Sequence, residues 1–177
     1  SVDLGDTIAN SEQDPPTAYC LNGIAQGNTE NEYLGRGYDV MSIMVTGHIE
    51  WKNFAADATA RYGELVRLLL VWDKQTNGAQ FNAEDVLLQV TNGSPIDCPR
   101  NLEYTHRFIV LKDVILKYPA IGFSDGGIDE RVKSPFQIFH KFKKSVKVLT
   151  KDTGATVSSI NDNSFHVMAY CSRASSH

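Results

Sequence analysis

The residues of this sequence with the clearest chemical potential form one basic segment, His140-Lys141-Phe142-Lys143-Lys144-Ser145-Val146-Lys147. Successive side chains of a β-strand point to opposite faces, so this spacing predicts one polar face and one apolar face. The polar face would carry Lys141, Lys143, Ser145 and Lys147, and the apolar face Phe142, Val146 and Val148. Such a lysine row can follow a phosphate backbone, which requires charge and no base reading. An ordinary solvated strand face is the alternative.

Two further basic residues complete the candidate nucleic-acid-binding set. Lys144 belongs to the same segment, and Arg36 lies in Gly35-Arg36-Gly37, which is predicted to be a turn before a strand. That turn lacks both the GxGxxG pattern and the GKS/T ending of a phosphate-binding loop. The predicted set is therefore Lys141, Lys143, Lys144, Lys147 and Arg36.

Catalytic and metal-binding patterns are weak. The five histidines form no HxH, HxxH or HxxxH pair, so structural or surface roles are expected for them. The stretch from Asp125 to Glu130 places oxygen ligands beside glycines but does not fit the twelve-residue calcium loop, and a solvated loop is the better interpretation. The sequence predicts no enzyme activity, no metal and no cofactor.

Aromatic residues offer a second, more ambiguous signal. Bases of a single strand can stack on aromatic rings, although packing in a core or a subunit interface is the better expectation for most of them. The residues in question are Trp51, Trp72, Phe108, Phe136, Phe139 and Phe165.

The charge balance constrains the nucleic-acid hypothesis. Seventeen Lys and Arg residues against twenty-one Asp and Glu residues give a net charge of −4, unlike a domain that holds nucleic acid by bulk electrostatics. Binding charge must therefore be local, or lie on an upstream segment, which the absence of an initial Met suggests.

The three cysteines are widely separated and are predicted to be buried free thiols. No apolar run is long enough for a membrane span, so no membrane partner is expected.

The sequence predicts an extended arm over residues 1–17, which are rich in acidic residues and proline, and one domain over residues 18–177. Short β-rich runs broken by turn residues indicate an all-β protein, an eight-stranded antiparallel jelly-roll sandwich with long loops and at most one short helix. The predicted strands are Ala18–Leu21, Val40–Trp51, Leu65–Trp72, Phe108–Lys112, Val114–Tyr118, Phe142–Thr150, Thr156–Ile160 and Phe165–Cys171.

Turns and one helix complete the predicted architecture. Thr76-Asn77-Gly78 closes one strand, and Lys112-Asp113 is predicted to turn a hairpin between two apolar strands. Asn82 is expected to cap a short helix over Ala83–Leu88. Long loops are predicted over Asn53–Gly63, Asn92–Tyr104 and Gly122–Lys141.

Three separated stretches carry a resemblance to a known family. They are Leu21-Asn22-Gly23-Ile24-Ala25-Gln26-Gly27 with Glu30-Asn31-Glu32, Val66 to Ala79, and Arg107-Phe108-Ile109-Val110-Leu111-Lys112-Asp113. These resemble capsid proteins of small Rep-encoding circular single-stranded DNA viruses, the circovirus-like and geminivirus-related group. With the strands at Phe142–Lys147 and Asn163-Ser164-Phe165, the resemblance spans Ala18 to Ser172, and Asp73-Lys74-Gln75-x-Asn77-Gly78 is its most specific part.

The resemblance implies self-assembly of identical jelly-roll subunits into a small icosahedral T=1 shell around a single-stranded DNA genome. It implies a virion location, assembly in the host nucleus, an unidentified host receptor, and an arginine-rich arm upstream that binds the genome. The chain departs from the family at Leu34-Gly35-Arg36-Gly37-Tyr38-Asp39, where relatives usually have a further basic residue after the arginine.

Three alternatives share parts of this pattern. A coat protein of a small RNA satellite virus has the same fold, and nuclease sensitivity of the packaged nucleic acid separates it from a DNA capsid. A cellular trimeric jelly-roll module lacks catalytic residues too, but would form trimers instead of closed particles. A cupin-type metalloenzyme requires bound metal and nearby histidines.

Overall fold

The computed structural model describes residues 18–29, 32–52, 65–88, 96–117 and 131–171, and the predicted arm over residues 1–17 and the loop over Asn53–Gly63 lie outside them. These residues form a mostly β structure with one short helix. Its elements are β1 (Tyr19–Cys20), β2 (Gly37–Lys52), β3 (Leu65–Asp73), α1 (Ala83–Val86), β4 (Phe108–Lys117), β5 (Arg131–Thr150), β6 (Ile160–Asp162) and β7 (Ser164–Cys171).

The strands form two antiparallel sheets. One has the order β1-β7-β3-β4, and the other has the order β2-β5-β6. Val71 pairs with His166 of β7 on one side and with Val110 of β4 on the other. In the second sheet β2 follows β5 for most of its length, from Gly37 opposite Leu149 to Lys52 opposite Arg131. The all-β prediction is confirmed.

Strand β3 is the centre of the core, because both of its faces are covered. Val66, Leu68 and Leu70 pack with Val45, Ile49 and Ile138 of the second sheet. Leu69 and Val71 on the opposite face pack with residues of α1, β4, β7 and the chain around them, namely Phe81, Val86, Leu87, Ile96, Phe108, Met168 and Tyr170. Burial on both faces explains why the sequence of this strand is a nearly continuous apolar run, without alternation of apolar and polar residues.

The predicted hairpin at Lys112-Asp113 is wrong, because β4 runs without a turn from Phe108 to Lys117. The Asp113 carboxylate instead accepts two hydrogen bonds from Arg67 on the neighbouring strand, at 2.9 and 2.8 Å. Two predicted strands are thus one, and the described residues contain seven strands. Seven described strands do not confirm the predicted eight, nor do they confirm the jelly-roll topology.

Two other boundaries differ from the predictions. The predicted loop over Gly122–Lys141 is wrong from residue 131 onward, because β5 begins at Arg131 and pairs with β2. Alternate side chains in this part of β5, such as Phe136 and Ile138, point inward. The predicted strand Thr156–Ile160 is a 3₁₀ turn over Val157–Ser159, and β6 begins only at Ile160.

The predicted helix and turn are confirmed with small changes. Helix α1 begins after Asn82, whose backbone N–H donates to the Asp85 carboxylate at 2.9 Å, and it ends at Val86 because Leu87 is extended and pairs with Arg100. Asn77 and Gly78 have φ values of 51° and 72°, as expected for the predicted turn. No helix in the described residues is long and apolar enough to cross a membrane.

The cysteine prediction is confirmed for Cys98, which is buried and forms no disulfide within the described residues, and in part for Cys20, which also forms none but is only half-buried. Burial raises the pKa of both. The side chain of Cys171 lies outside the described part of the chain.

Candidate nucleic-acid interface

The predicted lysine face exists as an exposed surface on β5. Lys141, Lys143 and Lys147 are exposed, whereas Phe142 and Val146 are half-buried and Val148 is buried. Phe142 packs against Trp72 and Phe165 of the other sheet, with ring centroids 5.7 and 5.4 Å away. These apolar contacts fix the orientation of the strand and direct the lysines to solvent.

Lys144 is exposed for a different reason, an irregularity in the pairing of β2 with β5. Val40 pairs with Val146 and Ser42 with Lys141, so Met41 alone lies opposite residues 142–145. Strict alternation would direct Lys144 inward with Phe142. The extra residues break that alternation, and Lys143, Lys144 and Ser145 are all exposed.

The surroundings differ along the lysine row. Lys147 lies opposite Asp39 of β2, an exposed carboxylate, and Lys141 lies opposite the uncharged Ser42. Directly opposite Cβ atoms in antiparallel strands are about 5 Å apart, so Asp39 offsets part of the Lys147 charge. Among the described residues none of the four lysines is within ion-pair distance of a carboxylate.

Arg36 lies at the far end of the same sheet. Its backbone oxygen accepts a hydrogen bond from Thr150 N–H at 3.1 Å, and Gly35 before it has a φ of 94°. The side chain is exposed, as is that of Lys147 nearby on β5. Thr150 is nine positions from Lys141, up to about 30 Å along a strand. The structure therefore brings the four lysines together and leaves Arg36 at the edge of the group.

An exposed apolar pair lies beside the lysines, and the sequence analysis named one member, Phe139, as a possible stacking residue but missed the other, Met44. Met44 of β2 lies directly opposite Phe139 of β5, and both point outward. Core or interface packing was the expectation for most aromatic residues, and it holds for Phe108 and Phe165, which are buried. A signal was available for Phe139, because it lies two positions before Lys141 and therefore on the same face of the strand.

The most specific residues of the resemblance have structural roles. Asp73 is completely buried at the end of β3 and accepts two hydrogen bonds from Arg107, both at 2.9 Å. Thr76 donates to Ser164 at 2.6 Å, and Asn77 N–H donates to the Asn161 oxygen at 2.9 Å. This segment thus fixes the end of β3 to the start of β4, to β6 and to β7.

Asn22, in the first stretch of the resemblance, joins the same end of the sheet. Its side chain accepts a hydrogen bond from Phe165 N–H at 2.8 Å and donates to the Asn163 oxygen at 3.1 Å. The Tyr38 hydroxyl donates to the Asn22 backbone oxygen. All three stretches therefore stabilise one region of the sandwich, and none of these contacts forms a reactive site.

Metal and acid–base chemistry find no geometric support in the described residues. No group of three or more His, Cys, Asp or Glu side chains there could hold a metal ion. His166 is buried against Phe81 and hydrogen-bonded to Ser164, and burial lowers its pKa to about 4. Burial, together with the nearby charge of Lys112, also lowers the pKa of His140. The Asp125–Glu130 loop lies outside the described residues.

Comparison of the chain with protein-family models and with curated proteins gives no match.

Proposed function

We propose that this chain is the shell subunit of a small viral capsid that encloses a circular single-stranded DNA genome. The observation that carries the proposal is the strand order β1-β7-β3-β4, which places the first of the described strands beside the last of them. The chain also crosses between the sheets, since β1 and β3 lie in one sheet and β2 lies in the other. Crossings between two sheets, with a late strand returned beside an early one, support a jelly roll, which is built from two Greek keys.

A rigid sandwich suits a shell subunit because assembly needs many copies with one shape. Symmetric assemblies form when the same surface patches meet repeatedly around symmetry axes. In this chain the motif of the resemblance stabilises the end of the sandwich, where Asp73, Thr76 and Asn22 are all buried. The family-like residues thus support the scaffold, and loops between strands remain available for contacts between subunits.

Genome binding in this proposal combines two sources of charge. The lysines of β5 supply local positive charge to a chain with a net charge of −4. An arginine-rich segment upstream of residue 1 supplies the rest, as the resemblance implies. Phosphate contacts of this kind bind without reading sequence, which a packaging protein requires. The virion and the nucleus of the host during assembly are the proposed locations.

Electron microscopy of the purified protein tests the proposal. We expect the chain, expressed with a basic upstream arm, to form closed particles of uniform diameter in negative stain. Isolated trimers at every concentration and salt would contradict the proposal and indicate a cellular binding module. Particles whose nucleic acid is degraded by ribonuclease and not by deoxyribonuclease would instead indicate an RNA virus coat protein.

Charge changes on β5 should alter nucleic-acid binding without altering the fold. A triple variant in which Lys141, Lys143 and Lys147 are each replaced by glutamine should bind a single strand with less salt dependence. The slope of log K against log salt concentration should fall by about two. The variant Asp39→Asn should have the opposite effect and strengthen binding, because it removes the carboxylate opposite Lys147. Filter binding across a salt series, with circular dichroism as a folding control, measures both. Equal slopes in all three proteins would contradict a role for this face.

A further inference from the structure

The outward face of the β2–β5 pair contains an apolar patch directly beside the lysines. Met44 is 62% exposed and Phe139 is 50% exposed, and their backbones pair directly across the two strands. The Met44 sulfur lies 3.2 Å from the Gln137 side-chain nitrogen, which accompanies it on the same face. Met41, also largely exposed, lies opposite the irregular part of β5. We call Met41, Met44 and Phe139 the apolar platform.

Phe139 of the platform and two of the lysines, Lys141 and Lys143, follow one another along β5 at regular spacing. Phe139, Lys141 and Lys143 alternate with the inward side chains of β5, and a two-residue step along a strand measures about 7 Å. Lys141 therefore lies one step from the Phe139 ring. A ligand that binds both must have a flat apolar group and an anion within about 7 Å of each other.

A single nucleic-acid strand has this chemistry, and a duplex does not. Bases of a single strand are free to stack on an aromatic ring, whereas bases of a duplex are already stacked and only its phosphates are accessible. From this juxtaposition we infer that the apolar platform and Lys141, Lys143 and Lys144 bind single-stranded nucleic acid, with a base on Phe139 and phosphates on the lysines. The inference rests on the proposed function and deepens it, because charge alone does not distinguish one strand from two.

A second copy of the chain is the competing occupant of an exposed apolar patch. The lysines argue against it, since a copy seated on the platform would bring like charges close together unless it offered acidic residues. Among the described residues, the carboxylate on this face is that of Asp39, which lies opposite Lys147. Lys147 is at the end of the lysine row that is remote from Phe139. Charge complementarity therefore favours a polyanion.

Fluorescence anisotropy with a labelled oligothymidylate and a labelled duplex tests the inference on the 177-residue chain. Phe139→Ala should weaken single-strand binding about tenfold and leave duplex binding and the salt slope unchanged. Lys141→Gln should lower the salt slope by about 0.7. Ile115→Ala, an exposed strand residue of the other sheet that is 46% exposed, is the matched control and should change nothing.

A second variant keeps the test valid if Phe139→Ala impairs folding. Phe139→Trp preserves a stacking surface and should bind at least as tightly as the parent protein, with fluorescence quenching on addition of oligothymidylate beyond that of the parent. Unchanged single-strand affinity in Phe139→Ala, or an equal loss for the duplex, would overturn the inference. Loss of self-association with unchanged oligonucleotide binding would also overturn it and assign the platform to a subunit contact.

Particle formation, scored separately by microscopy, keeps this inference distinct from the proposed function. Closed particles with Phe139-independent binding would refute the platform and leave the capsid proposal standing. Phe139-dependent single-strand binding by a protein that never assembles would support the platform and refute the shell.

Discussion

Replacing Asp73 with alanine is expected to lower the free energy of unfolding by about 4 kcal/mol. The carboxylate is fully buried and satisfies two groups at once, the Arg107 guanidinium at 2.9 Å and the Gln75 backbone N–H at 3.0 Å. Its removal leaves the guanidinium, which also lies 4.6 Å from the Phe108 ring centroid, without its carboxylate. A partly buried charge that loses its partner costs far more than the pair contributes.

Urea unfolding followed by circular dichroism measures this loss as a lower midpoint. Asp39→Ala is the matched control, an exposed aspartate in a strand, and should change stability by less than about 0.5 kcal/mol. The double variant Asp73→Ala with Arg107→Met should regain part of the loss, because the unpaired charge is then absent. A loss below about 1 kcal/mol for Asp73→Ala would contradict the structural role assigned to the motif.

This result would also separate the two kinds of residue in the chain. Asp73 lies in the most specific part of the resemblance, yet it contacts Arg107 and Gln75 and no exposed lysine. Asp73→Ala should therefore reduce assembly through the stability of the subunit. At a temperature where the variant remains folded, its affinity for a single strand should equal that of the parent.

The strands that could be predicted from the sequence are those with strong local signals. Strand β3 was predicted at Leu65–Trp72 and observed at Leu65–Asp73, because an apolar run bounded by Thr76-Asn77-Gly78 leaves few alternatives. The Lys112-Asp113 hairpin failed because a lysine–aspartate pair has turn propensity in isolation. In the fold Asp113 pairs instead with Arg67, which lies 46 positions away. Such a partner is invisible to local patterns.

The candidate site was predictable in one part and hidden in another. The period of two in β5 was enough to place Lys141, Lys143 and Lys147 on an exposed face. The register irregularity opposite Met41 could not be foreseen, because it depends on how β2 aligns with β5. That alignment exposes Lys144 and brings Met44 beside Phe139. Cross-strand neighbours come from the fold, and a single sequence does not contain them.

Lowering the pH from 6.5 to 4 is expected to cost about 3 kcal/mol of stability through His166 alone. The ring is fully buried, and its pKa falls from 6.5 to about 4, chiefly because burial disfavours the charged form and despite the nearby Asp73 charge. In the unfolded chain the same ring accepts a proton near pH 6.5. Below that value the unfolded state binds more protons than the folded state, so stability falls as the pH falls.

The groups around His166 define what the protonated ring would meet. Ser164 Oγ lies 2.7 Å from Nε2, the Phe81 ring packs edge-on with its centroid 4.8 Å away, and Cys20 and Val71 pair with His166 on the adjacent strands. Asp73 would attract the added charge, but Arg107 already pairs with it. Protonation of the ring in the folded state is therefore unfavourable until the pH falls to about 4.

Chemical denaturation at a series of pH values measures the effect, and His166→Gln isolates it. The amide keeps a hydrogen-bonding group near Ser164 but does not titrate, so the variant should lose less stability than the parent between pH 6.5 and 4, by about 3 kcal/mol. Asp113, whose pKa the Arg67 hydrogen bonds lower, is common to both proteins and cancels in the difference. His106→Gln, at an exposed histidine, should follow the parent. Parallel pH profiles for the parent and His166→Gln would contradict the lowered pKa of His166, because they would mean that folding leaves proton binding by this ring unchanged.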